Sequence, residues 1–140
     1  MITTMQLSPH LHFNGQCETA FTYYAQHLGG VIATMMTYAA TPGAQQVPPE
    51  WRNKIMHATL TLGDKVLMGC DAPPDRYDTP KGFSVVLGIK EPEEAERVFK
   101  ALSDGGTAKM ALQETFWAVR FGMLVDRFGI PWMINCGQAA

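Results

Sequence analysis

FNGQCETAFTYYAQHLGG, residues 13–30, has a counterpart in IKEPEEAERVFKALSDGG, residues 89–106. Each stretch follows a short apolar run, carries apolar residues at helical spacing, and closes on Gly-Gly ahead of further strand-like segments. Internal self-similarity of this kind constrains architecture more than composition does. In the first stretch Cys17, Ala20, Phe21, Tyr24 and Leu28 share one helical face, and Gly29-Gly30 stops the helix because glycine enters the left-handed conformation without a Cβ clash. In the second, Ala95, Val98, Phe99 and Leu102 form the stripe, with Pro92 and acidic residues in the first turn, where they suit the helix dipole. Ala20 aligns with Ala95 and Tyr24 with Phe99, whereas the Gly-Gly pairs align one residue later.

Working outward, Leu7–Phe13 alternates, with Leu11 and Phe13 on one face and His10 and His12 on the other, which predicts a half-buried strand. Val31–Tyr38 is a second strand. Ile55–Leu62 alternates again, and Gly63-Asp64 turns the chain into a strand over Lys65–Asp71. Between them Ala39–Lys54 holds Pro42, Gly43, Pro48 and Pro49 and predicts a long loop. APPDRYDTPKG, residues 72–82, is a connector. The second half then repeats the order: a strand over Phe83–Ile89, a helix over Glu91–Asp104, and strands over Ala108–Glu114, Trp117–Val125 and Pro131–Cys136, with a tight turn at Asp126–Gly129. The expected fold is α+β, with two βαβββ modules over residues 1–75 and 76–140 that together make one structural domain. Met1–Met5 are expected to fray.

The 140 residues suffice for one compact core. A hydrophobic content of 46% and a charged content of 17% are those of a soluble globular protein, and a net charge of -2 offers no basic field for a phosphate backbone, so nucleic acid is not an expected partner. No apolar stretch approaches the roughly 20 residues needed to span a bilayer, and the start MITTMQLSPHLHF lacks the pattern of a signal peptide, so no membrane partner and a cytoplasmic location are expected. Cys17, Cys70 and Cys136 are odd in number and widely spaced, which argues against a disulfide framework or structural zinc and reads as three small core residues.

Three runs, SPHLHFNGQCETAFTYYAQHLGG (8–30), IMHATLTLGDKVLMGCD (55–71) and QETFWAVRFGMLVDRFGIPWMIN (113–135), carry a closer resemblance. With the paired βαβββ order they resemble the PhnB-like branch of the vicinal oxygen chelate superfamily, which includes glyoxalase I, bleomycin-resistance proteins and extradiol dioxygenases. The resemblance implies curled mixed sheets around a cavity, helices outside, and a homodimer. Some members of the branch carry a demethylubiquinone methyltransferase label, yet no G-x-G-x-x-G stands between a strand and a helix here.

Metal-dependent members of the superfamily bind a divalent cation through His, Gln or Glu on the first, fourth, fifth and eighth strands. This chain departs from that pattern. Its fifth strand has no imidazole or carboxylate, and Met133 stands where the eighth-strand glutamate would be; a thioether is a poor ligand for Mg, Mn, Ni or Zn. No metal and no cofactor are therefore expected.

If Leu11, Phe13, Met56, Ala58, Leu60 and Leu62 pack on the helices, then His10, His12, His57 and Thr59 point the other way, toward the implied cavity. His10 and His12 with His57 offer imidazoles for a transition metal or, at His57, for proton transfer; hydrogen-bonded polar lining is the bland alternative. Glu114 beside Phe116 and Trp117 is either a proton-transfer carboxylate, an exposed charge, or a partner for Arg120. Trp117, Phe121 and Met133 are apolar bodies suited to a small-molecule pocket or to core packing. The leading expectation is a protein that binds a small organic molecule through His10, His12, His57, Glu114, Trp117, Phe121 and Met133. The rival is a divalent-metal-dependent lyase, isomerase or dioxygenase of the same superfamily.

Overall fold

The computed structural model describes residues 5–137, so the expected fraying of Met1–Met5 falls almost wholly outside the described residues. The chain divides into two compact units, Met1–Asp78 and Thr79–Ala140. Each is a βαβββ module with one four-stranded mixed sheet and one helix, the α+β class that the alternation and helical spacing predict.

In the first unit β1 (His10–Phe13), α1 (Cys17–Leu28), β2 (Val31–Thr37), β3 (Ile55–Leu62) and β4 (Lys65–Asp71) form a sheet of order β1-β4-β3-β2. β1 runs parallel to β4, and the other pairs are antiparallel. The helix covers one face. Its Cys17, Ala20, Phe21 and Tyr24 are buried with Leu11, Phe13, Ala58, Leu60 and Leu67 from the strands. Closeness is set by Gly69, where an added Cβ would lie 2.7 Å from the Phe21 ring.

No side chain of α1's own start caps the helix. Asp71, at the end of β4, does so from across the unit: its carboxylate accepts the N–H of Cys17 and that of Ile55, each at 2.9 Å. Burial raises the pKa of Asp71, and the N–H groups of Ile55, Cys17 and Gly15, with the Lys54 charge, oppose the rise.

In the second unit β5 (Val85–Ile89), α2 (Pro92–Ser103), β6 (Thr107–Gln113), β7 (Arg120–Val125) and β8 (Pro131–Cys136) repeat the arrangement in the order β5-β8-β7-β6. Ala95, Val98 and Leu102 are buried against Leu124, Trp132, Ile134 and Cys136. Gly122 lets the Phe99 ring approach as Gly69 does for Phe21. Asp126 holds the β7–β8 turn through the N–H groups of Phe128 and Ile130, and takes the indole N–H of Trp132 at 2.8 Å.

The one-residue slip between the halves has a visible cause. α1 ends on Gly29, left-handed at φ 82, with its N–H on the Ala25 carbonyl. α2 ends on Asp104 in an extended conformation, and the left-handed Gly105 comes one residue later. β3 departs from simple alternation. Between the pairs Met36–His57 and Thr37–Ile55 it advances two residues against one, a bulge that buries Ile55 and leaves Met56 half-buried, its Sδ beside the Thr41 hydroxyl. The predicted loop over Ala39–Lys54 is built from three short 3-10 turns, Tyr38–Ala40, Pro42–Gln46 and Pro49–Trp51. Tyr38 Oη donates to the Asp71 carbonyl at 2.7 Å and Lys54 Nζ to that of Gly15 at 3.1 Å, tying this segment to the sheet.

Candidate functional site

With α1 on one face of the first sheet, parity puts the strand residues that alternate with the buried ones on the other. His10 and His12 are exposed there, on β1, with His57 on β3 half-buried. Their rings gather: the centroids of His10 and His12 lie 5.0 Å apart, and His57 stacks on His10 at 6.2 Å with an interplanar angle of 25°. Partial burial and the two neighbouring imidazoles, His12 before His57, lower the pKa of His10 below 6.5.

Cys70 belongs to the same group. It sits opposite His12 in the parallel β1–β4 register, and its Sγ lies 4.0 Å from His12 Nδ1. One donor atom each from His10, His12 and Cys70 falls within 4.8 Å of the others. Burial, reinforced by the Asp71 charge, raises the thiol's pKa. Of the three cysteines expected in the core, Cys17 and Cys136 are buried, but Cys70 is half-buried on the opposite face. Parity with Met68 was the available signal, and it was obscured because the helix-side neighbour is the charged Asp71.

The open face of the second sheet carries the remaining candidates. Phe121 pairs with Asn135, Met123 with Met133, and Val86 with Met133 from the other side. Trp117, 43% exposed, packs its ring edge-on to Phe121 at 5.3 Å and to Phe116 at 4.7 Å. The N–H of Ala118 donates to Thr115 Oγ1, and the N–H of Thr115 to the carbonyl of Ala118; this turn delays the start of β7 to Arg120 and leaves Trp117 outside the strand. Glu114 is exposed, and Arg120 takes its carboxylate from Glu96 at 3.5 Å instead.

Asn135 was not singled out by sequence reasoning. Its Oδ1 is the buried side-chain oxygen or nitrogen that, among the described residues, has no hydrogen-bond partner. Across the parallel pairing it faces Gly88, where an added Cβ would meet nothing within 4 Å. A polar atom thus lies among Phe121, Met133 and an open glycine position.

The pairings place the two faces in one frame. His12 faces Cys70 one residue before the end of the β1–β4 ladder, and Gly88 faces Asn135 one residue before the end of the β5–β8 ladder. His10 then corresponds to Val86 and Met68 to Met133. Imidazole and thiol positions in the first unit are glycine, amide and aliphatic positions in the second. The His, Gln and Glu set on four strands that the superfamily's divalent centre requires does not fit these residues: the open face of β8 presents Pro131, Met133 and Asn135, and β5 has no ionisable side chain.

The family described as 3-demethylubiquinone-9 3-methyltransferase matches residues 5–135. Protein YjdN of Escherichia coli is 37% identical over 139 residues, 94% of this chain and 95% of its own length. The crystal structure of protein PA1353 from Pseudomonas aeruginosa superposes with a TM-score of 0.88 at 45% identity, covering 97% of this chain and 100% of that one. A bleomycin-binding protein from Streptomyces verticillus, solved with copper(II)-bleomycin, shares the fold at a TM-score of 0.61 and 14% identity over 99% of this chain and 100% of its own.

Proposed function

Because the chain belongs to the family described as 3-demethylubiquinone-9 3-methyltransferase, the PhnB-like branch of the vicinal oxygen chelate superfamily, we propose that it binds a small organic molecule on a largely apolar surface. The observation that carries this reading is the unpaired Asn135 Oδ1 on the open face of the second sheet. A buried oxygen without a donor costs about 1–3 kcal/mol, and a ligand N–H or O–H placed over Gly88 would recover it. Phe121, Met133 and Trp117 supply the apolar contact that binding pockets favour around a few orienting polar atoms. In this reading His10, His12, His57 and Glu114 are polar contacts, and the protein works as a cytoplasmic homodimer whose modules, residues 1–75 and 76–140, fold as one structural domain. The methyltransferase in the family's description is not part of the proposal, since no Gly-x-Gly spacing occurs anywhere to cradle a nucleotide cofactor.

Protein purified without a polyhistidine tag and screened by thermal shift against small aromatic hydrogen-bond donors tests it. Hits are expected whose affinity falls about tenfold in Asn135→Leu, the loss of roughly one hydrogen bond, and further in Trp117→Ala. A library that yields no saturable binder, or binders indifferent to both substitutions, defeats the reading.

A further inference from the structure

The first unit holds a donor set of which the small-molecule reading uses only the two imidazoles, as polar contacts, and leaves the thiol without a role. His10 and His12 stand two apart on β1, on the same side of the strand, and Cys70 faces His12 from β4. Their donor atoms lie within 4.8 Å of one another, and the sulfur is already 4.0 Å from an imidazole nitrogen. Around a tetrahedral zinc ion, with Zn–N of about 2.0–2.1 Å and Zn–S of about 2.3 Å, donors sit roughly 3.5 Å apart. Rotamer adjustments of exposed histidines on fixed strands close that difference.

Identity of the donors decides the class of cation. Two imidazoles and a thiolate are borderline-to-soft ligands, and Met68, in register with His10, adds a thioether to the surroundings. No carboxylate belongs to the set, which disfavours magnesium, calcium and manganese. We propose that His10, His12 and Cys70 form a zinc-type site of two imidazoles and one thiolate, complete within the first unit and open at its fourth position. It differs from the superfamily's centre in taking two ligands from one strand, in using sulfur, and in needing nothing from β5 or β8. As the zinc–sulfur bond forms, the thiol proton passes to solvent. Three protein ligands with a free fourth position leave room for water or for a donor atom of a bound molecule. The cation site needs neither Asn135 nor Trp117, so the cobalt titration and the Asn135 binding screen can fail separately.

Cobalt(II) serves as the spectroscopic stand-in for zinc. Reduced, tag-free full-length protein titrated with Co2+ is expected to take up one equivalent with a sulfur-to-cobalt charge-transfer band in the near ultraviolet and intense tetrahedral visible bands, and Zn2+ is expected to displace it. Cys70→Ser is expected to abolish the charge-transfer band. His10→Ala and His12→Ala are each expected to weaken Zn2+ binding at least tenfold in competition with a chromophoric chelator, while His27→Ala, at the end of α1, leaves it unchanged. Circular dichroism of each variant establishes that it is folded, and if Cys70→Ser fails to fold, the His12→Ala titration decides. Absence of saturable uptake, a pale octahedral cobalt spectrum, or an affinity unmoved by both Cys70→Ser and His12→Ala overturns the proposal.

Discussion

Replacing Asp71 by alanine strands two backbone donors at once, the N–H of Cys17 at the start of α1 and that of Ile55 at the start of β3. Each buried donor left unpaired costs about 1–3 kcal/mol, so urea unfolding of Asp71→Ala is expected to show a loss of about 2–5 kcal/mol. Asp71→Asn, which keeps one acceptor oxygen, is expected to lose less. A loss under about 1 kcal/mol for Asp71→Ala would mean that the carboxylate does not organise these two starts. His10 makes a second prediction at this scale. Nuclear magnetic resonance titration is expected to give it a pKa below 6.5, and His12→Ala to move that value upward, because one of the charges opposing protonation is gone. A midpoint at or above 6.5, unmoved by His12→Ala, counts against the clustered rings. Strand parity in the sequence put His10, His12 and His57 on one face, and the structure gathers their rings there. Cys70 and Asn135 were harder to see, since a lone cysteine or asparagine has no period and its significance comes from what pairs beside it.

At the scale of elements, the boundaries of β3, β4 and β8 agree with those read from alternation, because each is a strand with one helix-covered face and an abrupt turn at an end. β5 begins at Val85 and β7 at Arg120, later than the apolar runs suggested. Phe83 and Trp117 are apolar without being in a ladder, and side-chain character alone does not distinguish the two cases. Likewise the bulge at Met56 depends on pairing with β2, which no local pattern records. The helices rest on glycine: a methyl group at Gly69 or Gly122 would lie 2.7 Å from the ring of Phe21 or Phe99. Gly69→Ala and Gly122→Ala are each expected to cost about 1–3 kcal/mol as the helix is pushed from its sheet. Trimming the ring with Phe21→Leu is expected to recover part of the loss in the first. Thermal unfolding of the single and double variants measures both, and purely additive losses at Gly69 and Phe21 would deny the contact.

For the whole molecule, a duplicated βαβββ order was legible in two helices and two Gly-Gly pairs, and the chain does divide into two units of that order. What each copy does was not legible, because the correspondence between His12 and Gly88, or Cys70 and Asn135, exists only once the parallel ladders are aligned. Within each sheet β3 and β4, or β7 and β8, have partners on both sides. Amide hydrogen exchange is expected to be slowest in those four strands and fastest in β2 and β6, whose pairings are interrupted by bulges. Equal protection of β2 with β3 would contradict that ranking.

The matched ladders also make the protein its own template for redesign. Installing Gly88→His and Asn135→Cys writes the nitrogen–sulfur pair of the first sheet into the second, at a glycine where a side chain meets open space. With Val86→His added, the triple variant should titrate with twice the cobalt of the parent, turning an inherited duplication into a two-ion protein by three side-chain exchanges.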